Sequence, residues 1–199
     1  MRRIESLMRR IKSVMLLLAL SALAILIVNA SALAKDIDVT AFAGVQRQGK
    51  LTFESAPGTL QTINSTSFGV FGGRIGHGHI FGGEHTFAYS PNFIDNGTKT
   101  FIYNSNVILQ APLPVIRPYG TAGLGLMHIS GENSLVVSGT KFAINYGGGV
   151  KFLPSGPVGL RVDVRGYSVP STEFRVFGTQ SRRTDFVEAS IGVIFAIRK

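Results

Sequence analysis

The feature that most restricts this chain is a two-residue alternation of apolar and polar side chains, sustained over runs of about ten residues and punctuated by turn-forming residues. Period two puts successive side chains on opposite faces of an extended strand. Eight runs carry it: 37–46, 67–76, 80–89, 99–110, 117–129, 140–152, 158–169 and 185–197. In 140–152, Phe142, Ile144, Tyr146, Val150 and Phe152 share one face, against Lys141, Ala143, Asn145, Gly147, Gly149 and Lys151. In 158–169, Val158, Leu160, Val162 and Val164 alternate with Gly159, Arg161, Asp163, Arg165 and Tyr167. In 185–197, Val187, Ala189, Ile191, Val193, Phe195 and Ile197 alternate with Phe186, Glu188, Ser190 and Gly192. A soluble sandwich also alternates, with its apolar face inward. Strand length separates the two: soluble strands average about five or six residues, and a tilted membrane-spanning strand needs about 9–11.

Hydrocarbon offers no water to backbone N–H and C=O groups, so an open sheet edge is costly there and closure removes it. The predicted fold is therefore all-β, a transmembrane up-and-down antiparallel β-barrel of eight strands. Greasy side chains face lipid and polar ones fill the lumen. Run 67–76 resists this assignment. Phe68 and Val70 share a face with Arg74, while Phe71 and Ile75 sit on the other. A β-bulge or an Arg74 snorkelling at the strand end would reconcile it.

The first 34 residues read as a cleaved export signal. Arg2, Arg3, Arg9, Arg10 and Lys12 form a basic start, Val14 to Val28 a mostly apolar run, and Ala32-Leu33-Ala34 a small-residue cleavage site, with cleavage after Ala34. The alternative is an uncleaved anchor, but the run is short for a helix that needs about 20 residues to span. Met8 also opens a complete segment of this kind. Losing the segment lowers the formal net charge from +9 to +5 by removing five basic residues and Glu5. The remaining basic residues are scattered, so neither charge nor compartment points to nucleic acid. The chain has no cysteine, which excludes a disulfide scaffold, a thiol catalyst and a cysteine metal site.

The connections alternate in length. Short ones are 77–79, 111–116 and 153–157; longer ones are 47–66, 90–98, 130–139 and 170–184. Outer-membrane barrels have short periplasmic turns and longer external loops, so both termini are expected on the periplasmic side. With that orientation Phe81, Phe152 and Phe195 fall near the periplasmic end, and Phe87, Tyr89, Phe101, Tyr103 and Phe142 near the external end, as interfacial aromatic girdles require.

Residues 35–199 resemble the OmpA-type/opacity-type outer-membrane β-barrel domain family. The resemblance is carried by Arg117-Pro118-Tyr119-Gly120-Thr121-Ala122-Gly123-Leu124-Gly125, by Asn145-Tyr146-Gly147-Gly148-Gly149-Val150-Lys151-Phe152, and by Gly159-Leu160-Arg161-Val162-Asp163-Val164-Arg165. Ser190, Gly192, Phe195 and Ile197 resemble the family's assembly signal, although the chain closes Ile197-Arg198-Lys199 where the family ends on an aromatic residue. The resemblance implies a bacterial outer-membrane location and no cofactor. It also implies partners in outer-membrane lipid, lipopolysaccharide, periplasmic chaperones and the barrel assembly machinery.

Glu84, Lys141, Lys151, Arg161, Asp163, Arg165 and Glu188 are the charges expected inside. Both signs occur on neighbouring strands. A paired network filling the lumen is the favoured reading, because an eight-stranded barrel is just wide enough for side chains to fill it and buried charges persist when paired. The alternative is a narrow porin-like channel for small solutes. A third reading rests on His128 and Ser130, two apart near the external rim, which resemble the catalytic pair of a lipid A deacylase. The carboxylate that would orient the His is missing from the next strand, where Phe142 stands, and Glu132 lies in the loop. His77, His79 and His85 lack the Asp or Cys spacing of a metal site, and Asn64-Ser65-Thr66 and Asn96-Gly97-Thr98 read as loop sequence. The role expected is non-enzymatic: envelope integrity or surface binding through the four loops, with Arg47, Lys50, Arg175, Arg182 and Arg183 meeting lipopolysaccharide phosphates.

Overall fold

The computed structural model describes residues 36–49, 51–56, 59–63, 66–93, 97–131, 137–175 and 179–198. The export-signal reading of residues 1–34 lies outside them. Ten strands follow in chain order: β1 (Asp36–Gln48), β2 (Leu51–Ala56), β3 (Thr59–Ile63), β4 (Ser67–Gly78), β5 (Phe81–Ser90), β6 (Lys99–Gln110), β7 (Ile116–Ser130), β8 (Gly139–Phe152), β9 (Val158–Arg175) and β10 (Thr179–Arg198).

Eight of them close a barrel in the order β1-β10-β9-β8-β7-β6-β5-β4, with β4 returning to β1, and every neighbouring pair is antiparallel. The closing seam is continuous: Ile37 pairs with His77 and Arg47 with Ser67 across β1 and β4. β2 and β3 form a separate hairpin inside the stretch 47–66. No described helix is long and apolar enough to cross a membrane; the barrel strands, at 10 to 20 residues, are long enough to do so.

The alternation decides the facing. Val162 is 52% exposed and Ile191 58%, while Arg161 and Glu188 between them in the pattern are fully buried. Exposed apolar side chains ring the outside, and charge lies within. This is the inverse of a soluble protein and follows from a hydrocarbon solvent.

β4 corrects one reading. Neither a bulge nor snorkelling explains Arg74, because the register with β1 runs unbroken and Arg74 is wholly buried. Phe68 and Val70 point inward with it, and Phe71 and Ile75 point outward. The loop end of the lumen holds an apolar cluster among buried Thr, Ser and Gln side chains, so hydrophobic residues on the inner face are correct there. Phe68, Phe93, Phe186 and Tyr167 form its centre: Phe93 meets Phe68 and Phe186 edge-on at 4.9 and 5.6 Å, and Tyr167 stacks on Phe186 at 4.8 Å.

The stretch 170–184 is also not a plain loop. β9 continues to Arg175 and β10 starts at Thr179, their register shifting between Arg182 and Thr184. The first tight turn is shorter than 77–79, because β4 runs on to Gly78, whose φ of 105° suits glycine.

Candidate functional site

Four strands bring the charges together. β9 contributes Arg161, Asp163 and Arg165 at alternate positions, so all three enter the lumen from one wall. β4 and β5 supply Arg74 and Glu84 from the facing wall, and β10 supplies Glu188 beside Arg165. Arg161 pairs with Glu84 at 2.5 Å and with Asp163 at 2.9 Å. Arg165 bridges Glu84 at 2.7 Å and Asp163 at 2.9 Å. Arg74 joins Asp163 at 3.2 Å to Glu188 at 2.9 Å. Each guanidinium therefore spans two carboxylates, using the fork geometry that a lysine lacks.

Neutral groups finish the network. Gln46 donates to Glu188 at 2.8 Å, Arg74 donates to Ser190 at 3.1 Å, and the Tyr119 hydroxyl donates to Asp163 while accepting from Arg161 at 2.9 Å. Rings cover the cations: Arg74 lies 3.7 Å above Phe42 and Arg161 4.7 Å from the Tyr119 centroid. Toward the turn end, Lys151 binds Asp38 at 2.6 Å. Arg74, Arg161, Arg165 and Lys151 face Asp38, Glu84, Asp163 and Glu188, four against four, so the cluster is electrically neutral.

Glycines make the room. Gly147 stands across from Arg165 and Gly149 across from Asp163. A Cβ at Gly149 would meet the Tyr119 hydroxyl at 2.6 Å, and one at Gly192 the Phe42 Cβ at 3.1 Å. The Gly-rich stretch 147–149 is thus a seat for the long side chains of β9 and β7.

The sequence-predicted residues divide. Glu84, Lys151, Arg161, Asp163, Arg165 and Glu188 meet in the lumen or at its turn end. Lys141 does not join them: it stands half-buried across from Met127, at the opposite end of β8 from Lys151. Arg74, Asp38 and Tyr119 belong to the cluster and were missed. For Arg74 the available signal was the wrong facing of β4; for Tyr119 it was the in-phase position two residues from Thr121. Ser190 and Gly192 face inward, and Phe195 and Ile197 outward.

His128 lies on the outer face at the loop end of β7, and its Nδ1 is bonded to the Thr140 hydroxyl at 2.9 Å. A hydroxyl does not orient and charge-stabilise an imidazole as a carboxylate does. Ser130 ends the strand, across from Lys99, and Glu132 lies outside the described residues. His79 pairs with Asp36 at 3.2 Å in the turn, and His85 bonds Tyr103 at 3.0 Å. Among the described residues no group of three or more His, Cys, Asp or Glu is placed to hold a metal ion.

Known proteins share this architecture. Neisserial surface protein A superposes with a TM-score of 0.59 at 14% identity, covering 81% of this chain and 97% of its own. The N-terminal barrel domain of Pseudomonas aeruginosa OprF gives 0.55 at 16% identity, covering 82% and 98%. The outer membrane protein OprG of the same species gives 0.54 at 13% identity, covering 83% and 97%. At these identities the likeness is one of fold. No curated protein matches the chain in sequence. Residues 20–195 match the family described as the outer membrane protein beta-barrel domain, and with its closed eight-stranded barrel the chain belongs to that family.

Proposed function

We propose that this chain is a closed, non-enzymatic barrel of the outer membrane that works through its two ends rather than through its lumen. Its role is to support the envelope or to bind at the cell surface. The observation carrying this reading is the neutral, fully buried ion-pair network, in which Arg74, Arg161 and Arg165 each hold two carboxylates. A conducting filter needs charges free to exchange ions, and these are spent on one another. The apolar layer of Phe68, Phe93, Phe186 and Tyr167 above it adds a second barrier.

Planar bilayer recording tests the proposal. The refolded protein is expected to add no more than sporadic conductance. Glu188→Ala is expected to weaken the barrel yet leave conductance near baseline, since the Arg161–Glu84 and Arg165–Asp163 pairs remain. A steady open pore in the wild type, or a large rise in the variant, would favour the solute channel.

In this proposal both termini are periplasmic, because the short connections 111–115 and 153–157 lie at their end of the barrel. Periplasmic chaperones and the assembly machinery deliver the chain, with Ser190, Gly192, Phe195 and Ile197 as the recognised closing strand. The opposite end presents Arg47 and Arg183, with Lys50, Arg175 and Arg182 in stretches whose side chains lie outside the described residues. These cations meet lipopolysaccharide phosphates. Replacing all five by Gln is expected to reduce lipopolysaccharide co-purifying with the protein severalfold at low salt; an unchanged ratio would reject the contact.

A further inference from the structure

The outer surface is not uniform. On β9, opposite β5 across the barrel, it is plain aliphatic: Val162 and Val164. On β4 to β6 it carries polar rings partway along the span. His85 is the fifth of the ten residues of β5, and it faces outward between Phe81 and Phe87. The Tyr103 hydroxyl bonds its Nδ1 at 3.0 Å, and the two rings stack at 6.0 Å and 11°. That bond occupies one ring nitrogen and leaves Nε2 to a partner from outside the barrel. Ser105 stands directly across from His85 on β6. One step toward the turn end, the half-buried His77 ring folds against Gly83, where a Cβ would meet its Nε2 at 2.6 Å, so that nitrogen is covered by the wall and not offered outward. Beside this group the wall is shallow: Gly73 pairs with Ala41, and a Cβ at Gly73 would have no neighbour nearer than 3.7 Å.

Ionisable groups at membrane depth are costly against hydrocarbon and mark sites of contact. Lipid tails carry no donor or acceptor, so they offer nothing to His85 or Ser105. A second membrane-embedded protein surface can. Between such surfaces, association depends on close packing over small residues and on hydrogen bonds. This face is self-complementary, because an imidazole able to donate or accept stands next to a hydroxyl able to do both. A two-fold axis through the pair sets His85 of one barrel against Ser105 of the other. We infer that the β4–β6 face, centred on His85 and Ser105, is the contact through which two copies of this chain associate side by side in the membrane.

The lack of native cysteines makes the test direct. Single variants Val107→Cys, two residues from Ser105 on the outer face of β6 and next to the proposed axis, and Val162→Cys are reconstituted in lipid vesicles and oxidised with copper phenanthroline, and dimers are read on non-reducing gels. Val107→Cys is expected to give a covalent dimer at about seven times the yield of Val162→Cys, the factor that two symmetry-related membrane hydrogen bonds of about 0.6 kcal/mol each supply. Adding His85→Leu is expected to bring the yield down to that of Val162→Cys. Should that double variant fail to migrate as a folded barrel, Ser105→Ala in the same background serves in its place. Equal yields on the two walls, no dimer at Val107, or a yield indifferent to the second substitution would each overturn the inference.

Discussion

Arg161→Ala is expected to destabilise the barrel by about 3–5 kcal/mol, the cost of leaving buried charge without its partner. The measurement is urea unfolding in lipid vesicles, followed by loss of heat-modifiable gel migration. Arg161 is wholly buried and holds Glu84 at 2.5 Å and Asp163 at 2.9 Å. Without it, Glu84 keeps Arg165 and the Thr86 hydroxyl, and Tyr119 loses the nearer of the two cations over its ring. The variant leaves one carboxylate in excess in a dry interior. Removing that excess separates charge imbalance from lost packing: adding Glu84→Gln to Arg161→Met is expected to recover more than half of the loss. If the double variant is as unstable as the sum of the single ones, the residues do not act as a coupled set.

Gly147→Val is expected to prevent barrel formation, giving no folded band after refolding. The position faces inward, across from Arg165, where a Cβ would collide with the Val164 carbonyl oxygen and lie 2.8 Å from the Arg165 Cα. Both are backbone atoms of the neighbouring strand and cannot swing aside as a side chain would. Overpacking of a well-filled interior costs about 1–3 kcal/mol, and here it would also push apart two strands that must stay paired for the barrel to close. Gly156→Val provides the contrast: its site is open, with nothing within 4 Å, and refolding should be unaffected. Normal refolding of Gly147→Val would show that β8 and β9 do not approach each other this closely.

Much of this was legible in the sequence because one solvent acts on one face. Where lipid lies outside, each outward position asks for a greasy residue, and Val158 to Val164 or Val187 to Ile197 state the phase without ambiguity. The lumen offers no such uniform rule. Near the turn end it holds charge, and near the loops it holds Phe42, Phe68 and Phe186, so inner residues of β4 look like outer ones. That is why Arg74 could be placed only once its neighbours β1 and β5 were known. Asp38 escaped for a related reason: its role is set by Lys151, 113 residues away. The limits of 170–184 were hidden because its sequence does not keep the strict apolar–polar alternation that marks the other strands.

Because each guanidinium shares at least one carboxylate with another, the interior changes only in concert. A lone substitution on the membrane-facing wall, valine for isoleucine, disturbs one neighbour; a lone change at Asp163 disturbs Arg74, Arg161 and Arg165 at once. Natural drift in such a barrel should therefore leave the outer face variable and move the inner residues as compensating groups. Anyone hollowing it into a nanopore would have to excise matched pairs, not single side chains.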